Sequence, residues 1–211
     1  MKIRNSINIL YKHILYNFRY IILKYSVFKN NELKIILGAA TTYQKGWLST
    51  NEQWFDIRYE NNWKKLFKKK GLISNLMAEH VFEHLTYDEL DNTLNHANHY
   101  LKKGGKLRFA VPDGYNPSEE YIKNVNINGI GADAQDHKQL LNIDILNKLL
   151  IRNNFSCNIL EGYKNNELIQ NKFNDFDGFI IRTRKRKNIN LDPDWFFDDS
   201  GTSLIVDAIK K

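Results

Sequence analysis

The chain has 211 residues, 42% apolar and 13% aromatic, which suits one globular domain with a single buried core and excludes a disordered chain. Cys157 is the one cysteine, so an intramolecular disulfide and a cysteine-ligated zinc are excluded and a reducing, cytoplasmic setting is expected. The net charge of +7 sits almost wholly in residues 1–31, which carry Lys2, Arg4, Lys12, Arg19, Lys24 and Lys29 and no acid; the remaining 25 bases face 24 acids, so no nucleic-acid-binding surface is expected.

In this basic arm, Ile3, Ile7, Leu10, Tyr11, Ile14, Leu15, Phe18, Ile21, Ile22, Tyr25 and Phe28 recur at helical spacing. The pattern predicts an amphipathic helix from about Ser6 to Phe28. Arg19 and Lys24 interrupt its most apolar window, so a transmembrane span is not expected, and no small-residue cleavage site marks a secretory signal. Packing on the domain, peripheral contact with an anionic membrane and an oligomer contact all remain open for it.

Leu33, Ile35, Ile36 and Leu37 form a short apolar run ended by Gly38, as in a strand covered on both faces. Ala39 and Ala40 follow, so three small residues lie at the strand's carboxyl end, where open α/β sheets bind ligands; a tight turn without a ligand is the plainer alternative. Two short strands with polar ends are expected before Asp56. A helix over 61–70 follows, with Trp63, Leu66 and Phe67 inward and Gly71 at its end. Residues 72–78 read as a buried strand that delivers EHVFEHL. Thr86 with Glu89 three residues on forms a capping-box signature for a helix with Leu90, Leu94, Ala97 and Leu101 on one face. Lys103-Gly104-Gly105 stops it, and 107–111 is the next strand, before Pro112-Asp113-Gly114.

Residues 114–136 read as loop, Asn142 caps a helix to about Arg152, and Phe155–Leu160 is a strand. An insertion at about 164–201 separates it from a last strand at Ser203–Ile209. The basic residues Arg182, Arg184, Lys185, Arg186 and Lys187 in that insertion suit a solvated loop or a phosphate contact. Strands alternating with helices predict an α/β, doubly wound, mostly parallel sheet, with residues 1–31 as an arm and 32–211 as the domain.

Several segments together resemble the class I S-adenosylmethionine-dependent methyltransferases, and more narrowly a bacterial group of predicted methyltransferases. They are LGAATTYQKGWLSTNEQ (37–53), LMAEHVFEHLT (76–86), YLKKGGKLRFAVPDGYNP (100–117), GADAQDHKQL (131–140) and TSLIVDAIKK (202–211). The resemblance implies a Rossmann-like seven-stranded sheet with an antiparallel last strand and S-adenosylmethionine as cofactor; the basic amphipathic arm, suited to a membrane where glycolipid or capsule precursors are assembled, points to a saccharide of a cell-surface glycan precursor or another small molecule as acceptor. The resemblance places Gly38, Ala39 and Ala40 beside the cofactor's methionine portion, and Glu79 and His80 near its sulfonium. The ribose acid of the family falls at Asn51, with Glu52 beside it and Asp56 as a further partner for the ribose or adenine. Methyl transfer to oxygen needs a base, for which His137 is the first candidate, then Asp113 and His84; fixing the loop is the plain alternative for Asp136-His137-Lys138. His80 and His84 have HxxxH spacing, but no third ligand accompanies them in the sequence and no metal is expected. Asn51 in place of the acid also leaves open an inactive, methyltransferase-like binding module, and a protein or metabolite acceptor is a further alternative.

Overall fold

The structure is a computed structural model that describes residues 18–29, 32–40, 42–132, 134–186 and 203–211. The elements in chain order are α1 (18–29), β1 (Leu33–Leu37), β2 (Leu48–Ser49), α2 (Glu60–Leu66), β3 (Ile73–Glu79), α3 (Tyr87–Tyr100), β4 (Leu101–Pro112), α4 (Glu119–Val125), α5 (Ile143–Arg152), β5 (Phe155–Lys164), β6 (Glu167–Gln170) and β7 (Ser203–Lys210). Short 3₁₀ turns stand at Phe82–His84, Ala134–Asp136 and Arg184–Arg186.

The strands form one seven-stranded sheet in the order β2-β1-β3-β4-β7-β5-β6. β2, β1, β3 and β4 pair in parallel, and β7 inserts antiparallel between β4 and β5. The expected α/β sheet with an antiparallel last strand is therefore present. The seventh strand is β6, a hairpin extension of β5. Asn165 and Asn166 both take positive φ, 52° and 64°, between the paired Lys164 and Glu167, which is the two-residue turn that matches strand twist.

Side chains alternate between the two faces. Leu33, Ile35, Leu37, Leu76, Phe109, Val111 and Val206 meet Trp63 of α2, Leu90 and Leu94 of α3, and Leu146, Leu149 and Leu150 of α5 in the main core. Trp63 stacks on Tyr100 with centroids 5.6 Å apart and donates its indole N–H to the Ile57 carbonyl at 2.8 Å, so its one polar atom is satisfied. On the other face Ile36, Met77, Ala110, Leu160 and Ile205 pack against Trp47, Ile180 and Phe173. Ile180 and Phe173 belong to a strap without strands, residues 171–186, laid over that face.

Several expected boundaries move. Residues 50–59 hold turns, with no strand after β2. Gly104 and Gly105 lie within β4, where its pairing shifts from Ile73–Leu101 to Asn75–Lys106, so they form an irregularity rather than a stop. The expected loop 114–136 contains α4, whose first turn is capped by Ser118 Oγ accepting from the Tyr121 N–H at 3.2 Å. In α1, Leu23 and Val27 are buried in the main core while Phe18, Ile21, Ile22, Tyr25 and Phe28 are exposed. The helix therefore turns the larger part of its predicted apolar face outward. Its expected reach back to Ser6 lies outside the described residues.

Candidate functional site

β1 and β3 are neighbours, and the chain leaves β1 toward β2 on one side and reaches β3 on the other, so strand order reverses between them. A cleft of about 620 Å³ opens at their carboxyl ends. That is where open α/β sheets hold ligands. Non-glycine residues with left-handed backbone mark both strand ends, Ala40 at φ 45° after β1 and His80 at φ 51° after β3. Such strain persists only where surrounding contacts impose it.

Of the residues singled out from sequence, Gly38, Asn51, Glu52, Asp56, His80, His84 and His137 line the cleft. Ala39, Ala40, Glu79 and Asp113 do not. Gly38 has φ +59°, and a Cβ there would stand 2.7 Å from Val81 Cγ2, so the residue that approaches this glycine is Val81 of the cleft wall. Ala39 is buried with Ile36 and Met77 in the second core.

Asn51 holds the turn after β1: its Oδ1 accepts the Ala40 N–H at 3.0 Å and its Nδ2 reaches the Ala40 carbonyl at 3.5 Å. An amide can both accept and donate across one residue, whereas a carboxylate can only accept. Glu52 is exposed at the cleft, and its carboxylate has no hydrogen-bond or ion-pair partner among the described residues. Asp56 is engaged by Arg58, which donates Nε to Oδ1 at 2.9 Å and Nη2 to Oδ2 at 2.5 Å. Burial alone would raise the Asp56 carboxyl, but these hydrogen bonds outweigh it and hold the group below its ordinary value.

Two further expected site residues, outside the cleft lining, are engaged by the fold. Glu79 accepts the backbone N–H groups of Ile181 at 3.0 Å and Arg182 at 2.6 Å, and so anchors the strap. Asp113 is fully buried and accepts from the N–H groups of Tyr115 at 3.0 Å and Tyr163 at 2.7 Å. Burial is the largest influence on its carboxyl and raises it despite those bonds. The basic run is likewise part of the strap: Arg184 donates its N–H to Glu161 and Nη1 to the Ser203 carbonyl at 3.0 Å, and Lys185 Nζ donates to Phe173 O at 3.3 Å. Lys187 lies outside the described residues.

The 3₁₀ turn after β3 and the one at Ala134–Asp136 bring His84 and His137 together, with ring centroids 5.0 Å apart. His137 is buried, and its Nδ1 contacts the Val125 carbonyl at 2.7 Å; His84 Nδ1 contacts the Asp136 carbonyl at 3.3 Å. A carbonyl can only accept, so Nδ1 is the donor in each ring. Glu83, 1% exposed, is the group that sequence reasoning missed. His80 Nδ1 comes within 3.0 Å of its Oε1 as a charge contact, yet neither carboxylate oxygen has an aligned hydrogen-bond donor. Burial would raise the Glu83 carboxyl, but the adjacent His80, the residue's own backbone N–H and His84 keep it lowered. The second ring nitrogen of His80, Nε2, meets Ser203 Oγ at 2.9 Å, so this histidine ties β3 to β7.

The sheet and its helices share their fold with a methyltransferase of known structure. A SAM-dependent methyltransferase from Archaeoglobus fulgidus superposes with a TM-score of 0.50 at 14% identity, over 91% of this chain and 94% of that one. A SAM-dependent methyltransferase from Thermotoga maritima gives 0.48 at 11% identity over 99% and 97% of the two chains. Magnesium protoporphyrin IX methyltransferase from Synechocystis PCC 6803, with bound SAH, gives 0.43 at 9% over 93% and 83%. The first of these carries the fold assignment. No protein-family model and no curated protein sequence matches the chain.

Proposed function

We propose that this protein is an S-adenosylmethionine-dependent methyltransferase acting on a small hydroxylated acceptor. The observation that carries the reading is the cleft at the carboxyl ends of β1 and β3, at the reversal of strand order, in a sheet shared with the Archaeoglobus fulgidus methyltransferase. The residues fit the cofactor with an altered set of contacts. Glu52 lies next to Asn51 in the cleft lining and has no partner among the described residues, so it rather than Asn51 is assigned to the ribose hydroxyls, which a carboxylate accepts in pairs. Phe55 and Ile57 supply an apolar wall suited to a planar ring. When bound, S-adenosylmethionine supplies an electrophilic methyl group on a sulfonium. The acceptor is assigned to the part of the cleft lined by His84 and His137, where the lone pair on His137 Nε2 can take the hydroxyl proton.

A saccharide of a cell-surface glycan precursor is the acceptor class we favour. The support is α1, which exposes Phe18, Ile21, Ile22, Tyr25 and Phe28 beside Arg19, Lys24 and Lys29, a face suited to an anionic membrane surface. No helix among the described residues is long and apolar enough to cross a membrane. A binding module without turnover is the second reading, favoured by the engagement of Asn51 by Ala40 and of Asp56 by Arg58.

Calorimetry with S-adenosylmethionine separates these readings. Binding is expected, and Glu52→Gln should weaken it about tenfold, the scale of a hydrogen bond to a charged group, with the melting temperature unchanged. Undetectable binding by the wild-type chain removes the methyltransferase reading. Binding without transfer of labelled methyl to saccharide, peptide or metabolite acceptors favours the module.

A further inference from the structure

Glu83, His84 and His137 each offer a ligand atom within 4.8 Å of the other two. The three come from different local structures, a 3₁₀ turn for the first pair and the segment after a second turn for His137. Two features of the cluster call for a cation. A carboxylate that is 1% exposed is costly to bury, and its one close charge partner, His80 Nδ1 at 3.0 Å from Oε1, leaves Oε2 without a donor. Both imidazoles have Nδ1 beside a backbone carbonyl, which orients each ring and turns its Nε2 away from that carbonyl. That is the outer-shell arrangement of metal-binding histidines.

We propose that Glu83, His84 and His137 form a site for one divalent transition-metal ion at the cleft. Two imidazoles and one carboxylate favour zinc-type ions over magnesium or calcium, which prefer all-oxygen shells. Three protein ligands also leave a coordination position open, as in sites that bind water or substrate. Donor atoms around tetrahedral zinc are roughly 3.3 Å apart, from bond lengths of about 2.0–2.1 Å. The cluster therefore has to close by no more than about 1.5 Å, within reach of small rotations of the His84 ring, which is partly exposed. With the ion in place His137 would be a ligand instead of a base, and the ion's charge would make an acceptor hydroxyl on the open position acidic enough to pass its proton to solvent water. His80, in charge contact with Glu83 Oε1, is a positioning residue for the carboxylate.

Ion binding needs no cofactor, so it can be measured apart from the methyltransferase reading. The full chain, stripped of metal by chelation, is titrated with Co²⁺ in the absence of S-adenosylmethionine, following visible d–d absorption and calorimetric heat. One Co²⁺ per chain is expected, displaced by Zn²⁺. His84→Gln and His137→Gln should each weaken the affinity at least about 100-fold, and His80→Asn about 10–100-fold as an outer-shell change. His99→Asn, remote from the cluster in sequence, should leave it unchanged. Circular dichroism identifies any variant that has not folded; if buried His137 proves intolerant of replacement, partly exposed His84 decides the matter. Absence of saturable Co²⁺ binding by the wild-type chain overturns the proposal, and so does wild-type affinity in a folded His84→Gln.

Discussion

Gly38 is constrained twice, by backbone and by neighbour. Its φ of +59° is a conformation that penalises any Cβ, and the added methyl would press on Val81 Cγ2 at 2.7 Å. The two effects can be separated. Gly38→Ala should destabilise by about 2–3 kcal/mol, of which about 1–2 is the left-handed backbone. In a Val81→Ala background the clash is gone, and only the backbone part should remain. A double-mutant cycle by urea denaturation reads the difference as a coupling energy between the two positions. Coupling near zero would show that Val81 shifts freely and that the glycine is set by conformation alone. At this scale the sequence showed which side chains reach the cleft better than it showed what each one does there. Gly38 follows from a strand end, and Glu52, His84 and His137 from the family resemblance. The engagement of Asn51 with Ala40, and of Asp113 with Tyr115 and Tyr163, depends on chain segments that spacing cannot locate. Glu83 was passed over because in sequence it is one acid among several; only the fold shows it buried beside His84 and His137.

Among the elements, those with local signals were legible. Thr86 and Glu89 make the capping box read from sequence, each donating or accepting across the first turn of α3. Asn142 likewise caps α5 through Oδ1 and the Ile145 N–H at 3.0 Å. Two further signals were present but outweighed by composition. Ser118 before two glutamates is a helix start, hidden in a stretch rich in glycine and asparagine, and Asn165-Asn166 between β-forming residues is a hairpin turn. The orientation of α1 was not legible, because apolar residues nearly encircle the helix and periodicity does not choose between faces. The structure chooses Leu23 and Val27. Leu23→Ala should therefore cost about 2–5 kcal/mol, as in a packed core, whereas exposed Ile21→Ser should stay within about 0.5 kcal/mol. Equal losses in thermal melts would place the outward face in contact with something in the isolated protein.

For the molecule as a whole, the strap is the feature with the least sequence signal and the widest consequence. Residues 171–186 cover a sheet face using few apolar groups, chiefly Ile180 and Phe173, so their hold depends on polar ties. The central tie is Arg108, 1% exposed in β4, which makes a bidentate pair with Asp207 of β7 at 2.7 and 2.9 Å. Its remaining arm, Nη1, donates to the carbonyls of Asn174 and Gly178 in the strap. Lys106 adds a second tie, to Asp177 at 2.6 Å, with Asp207 3.2 Å away. A buried ion pair contributes little net stability over apolar residues of the same size, but breaking one side strands a charge. Asp207→Ala should accordingly cost about 3–5 kcal/mol in urea denaturation. The double change Arg108→Met with Asp207→Leu should recover most of that loss, since the sheet no longer contains an unpaired charge. It should not restore the strap, because the carbonyls of Asn174 and Gly178 lose their shared donor and only Lys106 and a long bond from Asn75 continue to hold Asp177. Limited proteolysis of the double variant should then cut within 171–186 faster than in the wild type while β4 and β7 stay protected. If sheet and strap loosen together, the pair acts through the sheet core. If stability returns without new cleavage, the strap is held by Glu79, Glu161 and its apolar contacts, and Arg108 is a structural ion pair alone.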